Sequence, residues 1–292
     1  MVAWLIPGVF AYLYAVFGGI EFALPVLRLV TVNERDQAVI NRWFSPVWEV
    51  TNVFLVMAIT GFAAVFPLVL PILTPALRWL LLLVGLGLGL RALIVLIVFY
   101  GQAKNQLTNW LLAAISLILP AMLAQVVLDL ISPNPAPVQQ VCTALIAIFI
   151  SLALGSGFLL MVRPAAPYRR VTILSLLLAA VAAYPLGHIA SLTPIAAMIM
   201  GAATLAASLT IVFRSRWMPL VASWLALTLV FVRILQRQWP YVLYPNVTYA
   251  QVAAAPAIHQ AIVWGMVVGV ILSLPGLAWL VVVLAKNFGQ AV

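Results

Sequence analysis

The stretch Leu77-Arg78-Trp79-Leu80-Leu81-Leu82-Leu83-Val84-Gly85-Leu86-Gly87-Leu88-Gly89-Leu90-Arg91-Ala92-Leu93-Ile94-Val95-Leu96-Ile97-Val98-Phe99-Tyr100-Gly101 decides the fold class. About 20 apolar residues in helical form cross the hydrocarbon of a bilayer, and this run exceeds that length. The Gly85-Leu86-Gly87-Leu88-Gly89 portion has the look of a phosphate-binding loop. No strand precedes it, so the glycines are read as positions of close helix packing.

Further apolar segments cover 3–27, 48–73, 107–132, 138–162, 171–192, 194–214, 217–236 and 257–285. With 66% hydrophobic and 7% charged residues, the chain lies far from the composition of a soluble globular domain. The expectation is one all-α integral membrane domain over 1–292, with nine transmembrane helices as two four-helix bundles plus a peripheral helix. Around Thr193-Pro194 the apolar stretch fits two spans joined by a tight turn or one kinked helix. The first segment lacks a basic leader and a small-residue cleavage site, so it reads as a retained helix.

Basic residues set the orientation. Arg28, Arg35, Arg42, Lys104, Arg163, Arg169, Arg170, Arg214, Arg216 and Lys286 fall on one side, against Arg78, Arg233 and Arg237 on the other. The richer side is expected to be cytoplasmic, with the N-terminus outside and the C-terminus inside. On this reading the net charge of +9 reflects membrane topology and attraction to anionic lipid, and no nucleic-acid partner is expected. Two stretches, 28–47 and about 237–256, are read as extramembrane. The second is rich in Trp, Tyr and Pro, which suits an interfacial re-entry or a lid packed on the bundle.

Metal chemistry has few candidates. Cys142 is the single cysteine, and His188 and His259 are the two histidines, both near the outer ends of their helices. They suit interfacial hydrogen bonding better than haem ligation. Gly265 and Gly269 form a GxxxG pair that would let another helix approach the last one.

The acidic residues carry more information, because only five exist and two lie in the first two apolar segments. A charge at the centre of a spanning helix costs roughly 2.5–3.5 kcal/mol on insertion scales, so it is normally kept for a partner or a proton. Glu21 lies seven residues, about 10 Å, above Arg28, and Glu49 is placed at the start of the second segment from the same side. Arg91, about 15 Å from the end of the third segment, is the candidate to neutralise one of them. The residues alone support either a structural Glu–Arg pair or proton conduction. Asp129 is expected to pair with Arg233 or meet water.

Three motifs resemble subunit II of the cytochrome bd-type quinol oxidases: Gly19-Ile20-Glu21, Pro46-Val47-Trp48-Glu49-Val50-Thr51 and Gly61-Phe62-Ala63-Ala64-Val65-Phe66-Pro67. Arg91 matches a third-helix arginine, and Tyr244-Pro245-Asn246 through Pro256 and Pro275 resembles the family's end. The middle of the chain matches only in hydropathy. Val50 and Thr51 stand where the family has Gly and Asn, and Leu96 stands near an expected acid.

The resemblance implies an accessory role in a quinol:oxygen oxidoreductase. Haems b and d and the quinol site would lie in subunit I, the partner. This chain would contribute a cytoplasmic proton pathway through Glu49 and Glu21, supported by Trp48, Thr51, Asn52 and Arg91. It would bind no cofactor itself apart from a structural quinone. Two alternatives stay open at this point. One is a proton-coupled secondary transporter with Glu21, Glu49 and Arg91 in its site. The other is a structural subunit of a bd-like complex without oxidase activity.

Overall fold

The computed structural model describes residues 2–31, 33–100, 105–132, 134–189, 192–255 and 260–269, with Ile258 and Ile271. Helices run over Val2–Val30 (α1), Glu34–Val65 (α2), Val69–Val95 (α3), Gln106–Ile131 (α4), Pro137–Val162 (α5), Ala166–Ala183 (α6), Thr193–Val212 (α7) and Met218–Gln238 (α8). Eight helices among the described residues are long and apolar enough to span a membrane, and a shorter apolar helix covers Gln260–Gly269. The segment beyond Ile271 lies outside the described residues, as do Lys104 and Lys286.

The second helix departs most from the sequence reading, beginning at Glu34 and not near Trp48. Asn33 caps it by accepting from the Arg35 amide at 2.9 Å. Glu34 and Asp36 then place negative charge in the first turn, where the helix dipole favours it. The charged residues of 33–42 are therefore helical turns at the membrane rim and not a loop. At its other end α2 stops before Pro67, whose ring disfavours helical backbone in the preceding residue, and α3 starts early at Val69.

Two four-helix groups result. In the first, α1 packs on α2 and α4, and α4 on α3, while α2 and α3 scarcely meet. In the second, α5 through α8 pack in a ring. Around Thr193 there are two spans, with the 3₁₀ turn Tyr184–His188 preceding α7.

The groups join through α5. A Cβ on Gly155 would collide with the Cβ of Ala23 on α1 and sit 3.3 Å from the Ile20 carbonyl. One on Gly157 would stand 3.0 Å from the Leu220 amide of α8. Replacing Gly155 by Val is expected to cost roughly 1–3 kcal/mol by forcing α1 and α5 apart. A thermal melt of the purified protein checks this, and an unchanged midpoint would contradict so close an approach.

Arg163 and Asp36 form an ion pair that ties the end of α5 to the start of α2. The opposite end is closed by residues 239–254. Strands Tyr241–Leu243 (β1) and Val247–Thr248 (β2) form a small antiparallel hairpin, followed by the helical turn Tyr249–Val252 (α9). Val242 and Val252 bury against Val65, Phe66, Val69 and Leu73. The Tyr244 amide donates to the Leu130 carbonyl and the Ala254 amide to that of Val65. Of the two readings of this stretch, a re-entry or a lid, the packing is that of a lid. The Gln260–Gly269 helix lies against α2: a Cβ on Gly269 would stand 2.7 Å from Met57, and Met266 occupies the space left by Gly61. Gly265 faces open space, so only one glycine of the GxxxG pair receives a neighbour.

Candidate functional site

All four helices of the first group converge on Arg91. Its guanidinium forms an ion pair with Glu21 of α1, and both residues are 2% exposed. Nε donates to Ser116 Oγ of α4 at 3.0 Å. Nη2 lies 3.4 Å from the Glu21 carbonyl oxygen. The rings of Phe22 and Phe44 flank the cation, their centroids 4.9 and 5.7 Å from Cζ. Thr51 of α2 is buried, its hydroxyl donating to the Val47 carbonyl one turn back at 2.7 Å.

Local sequence explains this density. Gly18 and Gly19 remove side chains just before Glu21: a Cβ on Gly18 would meet Phe22, Thr51 and Tyr14 at 3.5–3.6 Å, and one on Gly19 would press on Leu154 of α5 at 2.8 Å. A buried ion pair is held when hydrogen bonds supplement the Coulomb attraction, as the one from Arg91 to Ser116 does here. Ser116, Phe22 and Phe44 were not singled out in the sequence, since a serine and two phenylalanines in apolar helices carry no signal of their own. On the Arg28 side, a recess of about 200 Å³ is bounded by Arg28, Gln37, Gln106 and Asn109, and deeper by Ile40, Phe44 and Leu112. Phe44 separates it from the guanidinium.

Glu49 is elsewhere. It lies fifteen residues along α2 from Glu34, about 22 Å at ~1.5 Å per residue, and not at a helix start. Its side faces out of the bundle, in an exposed stripe with Arg42, Asn52, Val56, Ile59 and Thr60. These positions recur at helical spacing. Thr51, two residues on and therefore about 200° around the helix, faces Glu21. The two carboxylates thus lie at similar depth on opposite sides of α2. Ser45 Oγ donates to Glu49 Oε1 at 3.3 Å, and among the described residues Glu49 forms no ion pair. Trp48 is half-buried and packs against the cluster that contains Phe44 and Leu24.

Other expectations resolve individually. Arg233 donates to Gln236, and no ion pair with Asp129 is found among the described residues. Cys142 is buried in the cluster with Leu128 and Ala183. His188 is exposed with its ring edge-on to Tyr184 at 5.0 Å, while His259 lies outside the described residues. Among the described residues no three His, Cys, Asp or Glu side chains gather as a metal site. Glu21, Glu49 and Arg91 do not share one cavity, which removes the geometric basis of the transporter reading.

A polytopic helical protein with a buried ion pair in one bundle and an outward carboxylate on the same helix layer is the class these observations define. The family model for cytochrome bd terminal oxidase subunit II matches residues 1–284, and the chain belongs to that family. It is similar to a Bacillus subtilis (strain 168) protein assigned as a cytochrome bd menaquinol oxidase subunit II, with 31% identity over 123 residues. That match covers 39% of this chain and about a third, 34%, of the relative. The fold is similar to a chain of the bd oxidase from Geobacillus thermodenitrificans, with TM-score 0.75, 22% identity and 98% of each chain covered.

Proposed function

We propose that this chain is the non-haem subunit of a quinol:oxygen oxidoreductase and delivers protons to its partner through Glu49. The observation that carries the reading is the position of Glu49. A carboxylate at membrane depth on the outside of a bundle would face lipid at a cost of roughly 2.5–3.5 kcal/mol. A second subunit covering the Arg42–Glu49–Asn52 stripe removes that cost and places the acid at a subunit boundary, where water and protons can pass. Reduction of oxygen consumes protons, so a carboxylate able to alternate between charged and neutral forms has a use there. Family membership supplies the nature of the partner: the haem-bearing subunit I, which would hold haems b and d and act on the quinol.

Glu21 has a different part in this scheme. Fixed to Arg91 and flanked by Phe22, it holds the four helices in register and keeps the Thr51 face of α2 turned inward, which turns Glu49 outward. The arginine-rich end, with Arg28, Arg35, Arg42, Arg163, Arg169 and Arg214, is placed in the cytoplasm.

An affinity tag on this chain tests the assembly. It should recover a larger haem-bearing polypeptide in constant ratio, with quinol-dependent oxygen uptake. Recovery of this chain alone, or only as copies of itself, would overturn the proposal. Reporters at residues 1 and 292 should respond from opposite sides of the membrane, the second from the cytoplasm. Reporters on the same side would refute the orientation.

A further inference from the structure

Four arginines unused by the site above crowd the ends of α6 and α7: Arg169, Arg170, Arg214 and Arg216. Arg169 is held by backbone. Its Nη1 donates to the carbonyls of Thr210 (2.8 Å) and Phe213 (3.1 Å), and its Nη2 to those of Arg214 (2.8 Å) and Ser215 (3.1 Å). One side chain thereby takes the Thr210 carbonyl in the last turn of α7 and three more just beyond it, tying down the backbone that carries Arg214.

An open groove of about 450 Å³ lies at this corner, lined by Arg169, Ile173, Ile211 and Arg214. Ile173 is one helical turn from Arg169 on α6, and Ile211 is nearly one turn from Arg214 on α7. The groove therefore has a cationic rim and apolar walls reaching into the membrane. Among the described residues no carboxylate pairs with Arg169 or Arg214. Trp217, half-exposed beside the rim, carries the Arg216 guanidinium 5.6 Å from its ring centroid, an arrangement suited to the membrane–water boundary.

A soluble anion would match the rim but leave the walls bare, and a neutral acyl chain would do the reverse. The geometry points to a bound glycerophospholipid with an anionic headgroup, its phosphodiester at Arg214 and an acyl chain along Ile173 and Ile211. Arginine suits this task because its planar fork takes two phosphate oxygens at once. Basic recesses between spanning helices are a recurrent setting for such headgroups. The inference does not depend on the role proposed for Glu49.

Native mass spectrometry of the purified complex, titrated with phosphatidylglycerol or with phosphatidylcholine of the same chains, tests it. The wild type should retain one phosphatidylglycerol with at least fivefold preference over phosphatidylcholine. Arg214→Gln should lose that preference, Arg214→Lys should keep much of it, and Arg35→Gln should leave it intact. Equal retention of both lipids by the wild type overturns the site, whether or not Arg214→Gln assembles. So does an unchanged preference in Arg214→Gln. Displacement of phosphatidylglycerol by inorganic phosphate would show a simple anion site and refute the lipid.

Discussion

Glu49→Gln is expected to leave the oxidase complex assembled, with unchanged haem content, while slowing quinol-driven oxygen consumption by about ten- to a hundredfold. The amide keeps the size of the side chain and its hydrogen bond from Ser45 but cannot release a proton at neutral pH. No arginine is stranded by the change, because the cation of this bundle belongs to Glu21 and not to Glu49. Glu49→Asp retains an ionisable group one methylene shorter and should be milder. The quantity to compare is turnover per assembled haem complex in wild type and both variants. Unchanged turnover in the glutamine variant would remove Glu49 from any proton path. Loss of assembly in step with loss of activity would make it a packing residue of the subunit boundary.

Arg91→Leu should act on stability first. It removes the guanidinium that Glu21, Ser116, Phe22 and Phe44 surround and leaves a carboxylate that is 2% exposed without its counter-charge. Breaking a buried pair from one side costs roughly 3–5 kcal/mol. Yield in the membrane and the thermal midpoint should both fall. The double variant Glu21→Gln/Arg91→Leu should recover a large part of the loss, since it buries no lone charge. That recovery separates an electrostatic effect from a cavity left by the arginine. A single variant as stable as the wild type would contradict a buried pair.

Hydropathy alone made the all-α, membrane-spanning class legible, because few other arrangements satisfy the backbone in lipid. Arg91 was legible as a counter-charge for the same reason. What the sequence reading missed was the side to which each acid points. The information was present: Glu49 and Thr51 stand two apart, and a helix cannot turn both the same way. Hydropathy starts the helix at Trp48, which hides the turns from Glu34 onward. Asn33 followed by Glu34 and Asp36 is a helix-start signal, but in a basic loop between apolar runs it read as ordinary polar punctuation. Ser116 left no trace in the sequence, since only the fold of α4 against α3 brings it to Arg91.

The lid has a consequence for how the protein is made. Its amides cap the carbonyls of Val65 and Leu130, which the ribosome produces well over a hundred residues before Tyr244 and Ala254. The first four helices can insert early, yet the end at which α2 and α4 finish stays open until α8 has been made and the hairpin after it has folded back. A chain halted after Gln238 would possess every helix of both bundles and still present two open backbone acceptors at that end. Completion of the first bundle is thus a late event in biogenesis, set by a segment made after the second bundle.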